Sequence, residues 1–138
     1  ADALHAVPLP AGALVIELTE TAVLDHVHWH AHAIDDLHHL GVRVAIDDFG
    51  RAFSTLAKLE HVRPDIVKVD RSFTASLLRA TDRSMAAAIA TFAHQLGHDV
   101  VIEGIETEEQ HELASALGCA FGQGWLYGRA EALGDGVR

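Results

Sequence analysis

Cysteine, methionine, proline and basic charge are all scarce in this 138-residue chain. A single cysteine, Cys119, excludes a disulfide within the chain and points to a reducing compartment, so the cytoplasm is the expected location. Ten basic side chains against 20 acidic ones leave a formal charge of −10, which argues against docking along a nucleic-acid polymer or an anionic membrane. A small anionic ligand would need a local cation, and a metal is the natural one. No apolar run approaches the roughly 20 residues that span a bilayer, and the amino terminus lacks the basic-then-apolar order of a secretory signal. The chain as given reads as soluble. Its sole methionine, Met85, lies mid-chain and Ala1 opens the sequence, the pattern expected of a piece of something longer.

What the chain does have is a beat. Residues 1–12, with Pro8 and Pro10, read as a lead-in, and residues 131–138 as a tail. Between them, over residues 13–130, β-branched runs recur: Leu14–Leu18, Val42–Ile46, Asp65–Val69 and Val100–Ile102, each the kind of strand that is buried on both faces. A segment that reads as helix follows each run. Val23, Val27, Ile34 and Leu37 share one helical face, as do Phe73, Leu77, Ala88, Phe92 and Leu96. Leu40-Gly41, Leu96-Gly97 and Leu117-Gly118 place a glycine where a left-handed helix stop is needed, and Thr107-Glu108-Glu109-Gln110 is a capping box. Glu108 and Glu109 read as first-turn helix charges. A fifth strand is expected near Cys119–Phe121. The alternation predicts an α/β fold with about five parallel strands and four helices, either a (β/α) barrel cut short or a small open sheet.

The polar residues cluster at one end of those strands. Glu17 closes the first, Asp47 and Asp48 follow the second, Lys68 and Asp70 close the third, Glu103 ends the fourth and Gln123 lies past the fifth. Parallel strands send their carboxyl ends to one edge, where barrels and open α/β sheets carry their sites. So many carboxylates together repel unless something cationic joins them. Hard oxygen ligands without cysteine select Mg²⁺, Mn²⁺ or Ca²⁺. The adjacent pair Asp47-Asp48 can splay onto two ions, as in-line phosphodiester hydrolysis requires, and Lys68 can hold a phosphate oxygen or orient water. Taken singly, each acid also reads as a cap or a solvated loop charge, and Asp70 ahead of Arg71-Ser72-Phe73 reads as a helix N-cap.

Five motifs then carry a resemblance. Glu17-Leu18-Thr19-Glu20, Asp47-Asp48-Phe49-Gly50, Lys68-Val69-Asp70, Glu103-Gly104-Ile105-Glu106-Thr107 and Gln123-Gly124-Trp125-Leu126-Tyr127-Gly128-Arg129 stand in the order and spacing of the EAL domain of cyclic di-GMP phosphodiesterases. The chain resembles the C-terminal portion of that domain from about Leu14 to Arg129. The resemblance implies a partial TIM-like barrel and metal-dependent hydrolysis of cyclic di-GMP to linear pGpG with Mg²⁺ or Mn²⁺, Ca²⁺ being inhibitory. By it Glu17, Asp47 and Asp48 match metal ligands, Lys68 the lysine at the nucleophilic water, and Glu103 a general base or metal contact. Gln123 matches a supporting glutamine, and Glu106 a glutamate that steadies the loop after the Asp pair. The namesake glutamate and an asparagine ligand fall upstream, and Glu131-Ala132-Leu133 in the tail is no substitute. Arg51 and Ala52 depart from the family's loop, which links metal binding to dimerisation. The isolated chain is therefore expected to turn over slowly or not at all, the alternative being a degenerate module that binds cyclic di-GMP or a partner without hydrolysis.

Two other features read as structural. His26 with His30, and His28 with His32, form i,i+4 pairs able to chelate a transition metal, but on an outer helix they read as a solvated face. Trp125 and Tyr127 either stack on a base or pack the barrel end. The open edges of a partial barrel lead to an expectation of self-association, or of association with a piece carrying the missing strands.

Overall fold

The computed structural model describes residues 10–25, 27–50, 62–75 and 80–129. Five strands, β1 (Val15–Thr19), β2 (Arg43–Phe49), β3 (Ile66–Val69), β4 (Asp99–Glu103) and β5 (Phe121–Gln123), form one sheet. Every neighbouring pair is parallel, and the spatial order follows the sequence. A doubly wound sheet reverses its strand order at a switch point, whereas an order that counts steadily upward is that of a barrel segment. The alternative left open by periodicity therefore closes on the barrel.

Five helices stand among the described residues: α1 (Glu20–Asp25), α2 (Val27–His39), α3 (Arg71–Thr74), α4 (Ala80–Gln95) and α5 (Glu108–Ala116). Four were expected. The segments after β1 and β3 each hold two, while the segment after β2, where one was expected, lies mainly outside the described residues. Leu77 lies outside the described residues, as do Arg51, Ala52 and the tail with Glu131, Ala132 and Leu133. The same holds for the side chains of Val27 and of His26, His28 and His30, while His32 is exposed.

The strands bury one face under the helices. Val44, Ile46, Val67, Val69, Val100 and Ile102 are all at most 1% exposed and pack with Val23, Ile34, Ile89 and Ile105. Burying a Val or Ile side chain is worth roughly 1.5–3 kcal/mol, so this layer drives the fold. The two-residue alternation of a strand puts Lys68, Val101, Glu103 and Phe121 on the other face, in register Lys68↔Val101↔Phe121. That face is less covered: Phe121 is 53% exposed on one edge strand and Val15 37% on the other.

All three predicted glycine stops form. Gly41, Gly97 and Gly118 have φ of +74°, +85° and +76°. Each donates its N–H three residues back, to His38, His94 and Ser115, and the following residue donates five back, to Leu37, Ala93 and Ala114. These are Schellman motifs, which satisfy carbonyls at the helix end. The third explains a shift in β5. Cys119 spends its N–H on Ala114 at 3.3 Å, so strand pairing begins at Phe121 and not at Cys119.

At the amino ends of the strands, Arg43 pairs with Asp99 at 2.5 Å, and the Asp65 carboxylate takes the Val44 N–H at 2.7 Å and His38 at 3.0 Å. These contacts fasten the edge opposite the acidic cluster. His98 sits nearby, 9% exposed, with Nε2 buried and without a hydrogen-bond partner. Burial pushes its pKa below the ordinary 6.5, against the opposing pull of a hydrogen bond to Pro64 and of the Asp65 charge. A histidine held neutral in the fold takes up its proton more readily when unfolded. Its contribution is therefore present above pH 6.5 and is lost as pH falls through the folded value. Urea midpoints at successive pH values should fall on acidification below 6.5, and the His98→Gln variant should show a shallower fall over that window. Parallel curves would exclude His98 as the cause.

Candidate active site

The acidic edge begins with an irregularity in β2. Ile46 pairs with Val67 and Phe49 with Val69, so two residues, Asp47 and Asp48, stand opposite the single Lys68. In an unbroken strand neighbouring side chains point to opposite faces. The extra residue makes a bulge that breaks this alternation and re-aims side chains. Its backbone signature is Asp48 at φ +57°, a left-handed conformation that Asp tolerates better than most residues.

Lys68 is the centre of the cluster. Its side chain is 6% exposed, and its Nζ lies 2.9 Å from Glu17 Oε2, 3.0 Å from Asp47 Oδ1 and 2.7 Å from Glu103 Oε1. The three carboxylates come from three strands, and one ammonium has three protons to give. Burial alone would lower the Lys68 pKa, but the bonds to Glu103 and Glu17 and the close carboxylate of Asp47 outweigh it and hold the pKa well above the ordinary lysine value. Glu103 moves the other way for an acid. Burial raises its pKa, Lys68 pulls it down, and the charges of Asp47 and Asp48 push it up again.

A second grouping overlaps the first. Carboxylate oxygens of Asp48, Asp70 and Glu103 all lie within 4.8 Å of one another. Asp47 Oδ1 is fully buried and, though near Lys68, has no hydrogen bond of acceptable geometry. Clustered hard oxygens with a buried acceptor left over fit a divalent cation of the Mg²⁺ or Mn²⁺ type. Asp70 is the site residue that sequence reasoning undervalued. It does cap α3, its Oδ1 accepting from Ser72 N at 2.9 Å, but it is also only 5% exposed and faces the same cluster as Asp48 and Glu103. Its position two residues after Lys68, just past a strand end, was the signal available.

The sequence also brought Glu106 and Gln123 forward. Glu106 and Gln123 line, with Arg71, Glu103 and Trp125, an open cleft of about 370 Å³ beside the cluster. Gln123 pairs with Glu103 in the sheet register. The loop that Glu106 was matched to steady runs through residues 51–61, outside those described. Immediately before it, the Gly50 N–H is taken by Glu20 at 3.2 Å, and Glu20 is 3% exposed. Glu20 stood in the first motif but was assigned nothing. Trp125 is exposed with the Arg129 guanidinium 4.4 Å above its ring, and the Tyr127 hydroxyl meets His111 at 2.8 Å. The segment that carries them is clamped to the turn after β4: Ile105 N donates to Gln123 O and Leu126 N to Ile105 O. A Cβ on Gly124 would lie 2.1 Å from the Ile105 carbonyl oxygen, so only glycine fits there.

Fold and site together define a (β/α)-barrel segment with a carboxylate–lysine centre at the carboxyl edge of its strands. The family model described as EAL domain matches residues 1–130, and the chain belongs to that family. It is 33% identical over 124 residues to the probable cyclic di-GMP phosphodiesterase PdeA of Escherichia coli, a match covering 89% of this chain and 17% of that protein. Among solved structures, the PaMucR phosphodiesterase in complex with c-di-GMP superposes with a TM-score of 0.86 at 33% identity, over 93% of this chain and 52% of that one. The Klebsiella pneumoniae BlrP1 manganese/cy-diGMP complex at pH 9.0 gives 0.85 at 32%, over 93% and 33%. The chain thus spans about a sixth of PdeA and about half of the solved PaMucR chain.

Proposed function

We propose that residues 13–130 are the C-terminal portion of a cyclic di-GMP phosphodiesterase domain, which hydrolyses cyclic di-GMP to linear pGpG with Mg²⁺ or Mn²⁺ and is inhibited by Ca²⁺. The observation that carries this reading is the bulge in β2, which leaves Asp47 beside Lys68, between Glu17 and Glu103, and Asp48 within reach of Asp70 and Glu103. Support also comes from BlrP1, similar to this chain and solved with cy-diGMP in the presence of manganese and of calcium.

In this reading Glu17, Asp47 and Asp48 hold the metal, and Asp70 stands with them. A divalent ion bound there would supply Lewis-acid polarisation of the phosphate and of water. Lys68, its pKa held high, stays an ammonium at neutral pH, so it donates to a phosphate oxygen or a water and does not accept a proton. Glu103, with its pKa raised by burial, is the group placed to accept one. The water oxygen bonds to phosphorus as its proton passes to Glu103. The P–O3′ bond breaks, the departing 3′ oxygen takes a proton from water and becomes a hydroxyl, and a 5′-phosphate remains. Gln123 and Glu106 line the cleft beside Glu103 and contact the nucleotide. The exposed edge strands carrying Val15 and Phe121 are the surfaces that the remaining barrel strands, or a second copy, cover.

The test is calorimetric titration with cyclic di-GMP in Ca²⁺, which should support binding while suppressing cleavage, followed by product analysis in Mn²⁺. Binding is expected, and its loss in Asp47→Asn/Asp48→Asn supports the carboxylate–metal site. Linear product in Mn²⁺ establishes hydrolysis. Binding without product makes the chain a receiver module, and no binding at all overturns the reading for this chain.

A further inference from the structure

The carboxylates of Asp70 and Glu103 belong to one group of oxygens within 4.8 Å, with Asp48 as the third. Like charges so close push their supports apart, so the backbone segments that carry them need a stiff frame. Asp70 heads the four-residue α3, and Glu103 ends β4 at the start of the turn to α5. A small polar network joins the two segments.

Thr74, at the far end of α3 and 1% exposed, donates its hydroxyl to the Glu103 carbonyl oxygen. The Thr74 carbonyl accepts in turn from Gln110 Nε2 at 3.3 Å. Gln110, 9% exposed, uses its Oε1 to take the N–H groups of Glu106 at 2.8 Å and Thr107 at 3.1 Å. A third contact closes the frame: a Cβ on Gly104 would stand 2.6 Å from Arg71 Cβ, so the turn after Glu103 lies directly against the first residue of α3. Thr74 and Gln110 touch no carboxylate oxygen. What they fix is the separation of two backbone segments, each bearing one member of the acidic group.

We propose that Thr74 and Gln110 are positioning residues of the metal centre, setting the spacing between Asp70 and Glu103 and through it the affinity for a divalent ion. This rests on the metal-site reading above. Groups behind a metal's own ligands typically change affinity by about 10–100-fold when removed, because a carboxylate displaced by a fraction of an ångström no longer closes on the ion.

The experiment measures Mn²⁺ binding to the chain by electron paramagnetic resonance, with Asp47→Asn/Asp48→Asn as the baseline for ions held elsewhere, such as on the histidines. Thr74→Val keeps the shape and removes only the hydroxyl, and binding is expected to weaken about 10-fold. Thr74→Ser keeps the hydroxyl and removes a buried methyl. Its melting temperature should fall while Mn²⁺ affinity stays within about 3-fold of the parent, which a merely structural role of Thr74 would not produce. Gln110→Glu keeps the acceptor for Glu106 and Thr107 and removes the donor to Thr74, and a weakening smaller than that of Thr74→Val is expected. Parent-like affinity in both Thr74→Val and Gln110→Glu overturns the proposal. A parent that binds no more Mn²⁺ than the baseline overturns instead the metal-site reading beneath it.

Discussion

Replacing Lys68 by methionine is expected to destabilise the fold by about 3 kcal/mol at neutral pH, and acidification is expected to return much of that loss. The substitution nearly preserves volume and leaves a long apolar stem in place, so packing is not the main change. The loss is electrostatic. Glu17, Asp47 and Glu103 all lie within 3.0 Å of the ammonium, and removing it leaves their charges facing one another. Removing one partner of a buried ion pair costs about 3–5 kcal/mol. The lower end applies because the Glu17 side chain is 49% exposed and water screens it.

The pH dependence follows from Glu103. Its pKa is already raised by burial, and Lys68 is what restrains the rise, so without Lys68 it climbs further. An acid whose pKa is higher folded than unfolded contributes stability below its unfolded value, 4.5 for a glutamate, and loses it as pH rises through the folded value. Urea midpoints of Lys68→Met should therefore climb toward those of the parent between pH 7 and pH 4.5. Added Mn²⁺ should raise the variant's midpoint at pH 7 by occupying the same carboxylates. A variant as stable as the parent at pH 7 would mean that the three acids already share protons, and Lys68 would lose its place as their counter-charge.

The pattern of strand ends made the gathering of Glu17, Lys68 and Glu103 legible, because all that is needed is a parallel sheet and a place at its carboxyl edge. The glycine stops and the Thr107–Gln110 capping box were legible for the same local reason, each being a few residues whose backbone groups have one good partner. The bulge was not. Asp47-Asp48 gives no hint in sequence that Asp48 takes a left-handed backbone, since that depends on the pairing of β2 with Lys68 and Val69 across the sheet. Asp70 was half legible: its N-cap role is local, but its approach to Asp48 and Glu103 depends on where two other strands end. Glu20 and the Thr74–Gln110 network were invisible because their partners, Gly50 and the carbonyl of Glu103, lie about 30 residues away in sequence. The start of β5 was misplaced because the sequence alone does not say that Cys119 completes a helix stop.

Asp48 offers the sharpest separation of stability from function. Its backbone sits at φ +57°, where a residue with a Cβ is strained by roughly 1 kcal/mol and glycine is not. Its charge also raises the pKa of Glu103, a sign that the two carboxylates repel. Asp48→Gly relieves both at once. Against this, glycine gains more freedom in the unfolded chain, so the net expectation is a fold about 0.5 kcal/mol more stable than the parent, read from urea midpoints. The same variant removes one of the three oxygen donors gathered with Asp70 and Glu103, and Mn²⁺ affinity should fall by at least about 10-fold. Asp48→Asn separates the contributions, because it keeps a residue that tolerates the left-handed backbone and removes only the charge. It should match the glycine variant in lost metal affinity and fall short of it in stability. If both variants are less stable than the parent in metal-free buffer, the interaction that Asp48 itself makes outweighs the strain and repulsion; if they are more stable yet bind Mn²⁺ as the parent does, the ion is held by other groups and Asp48 serves the backbone alone.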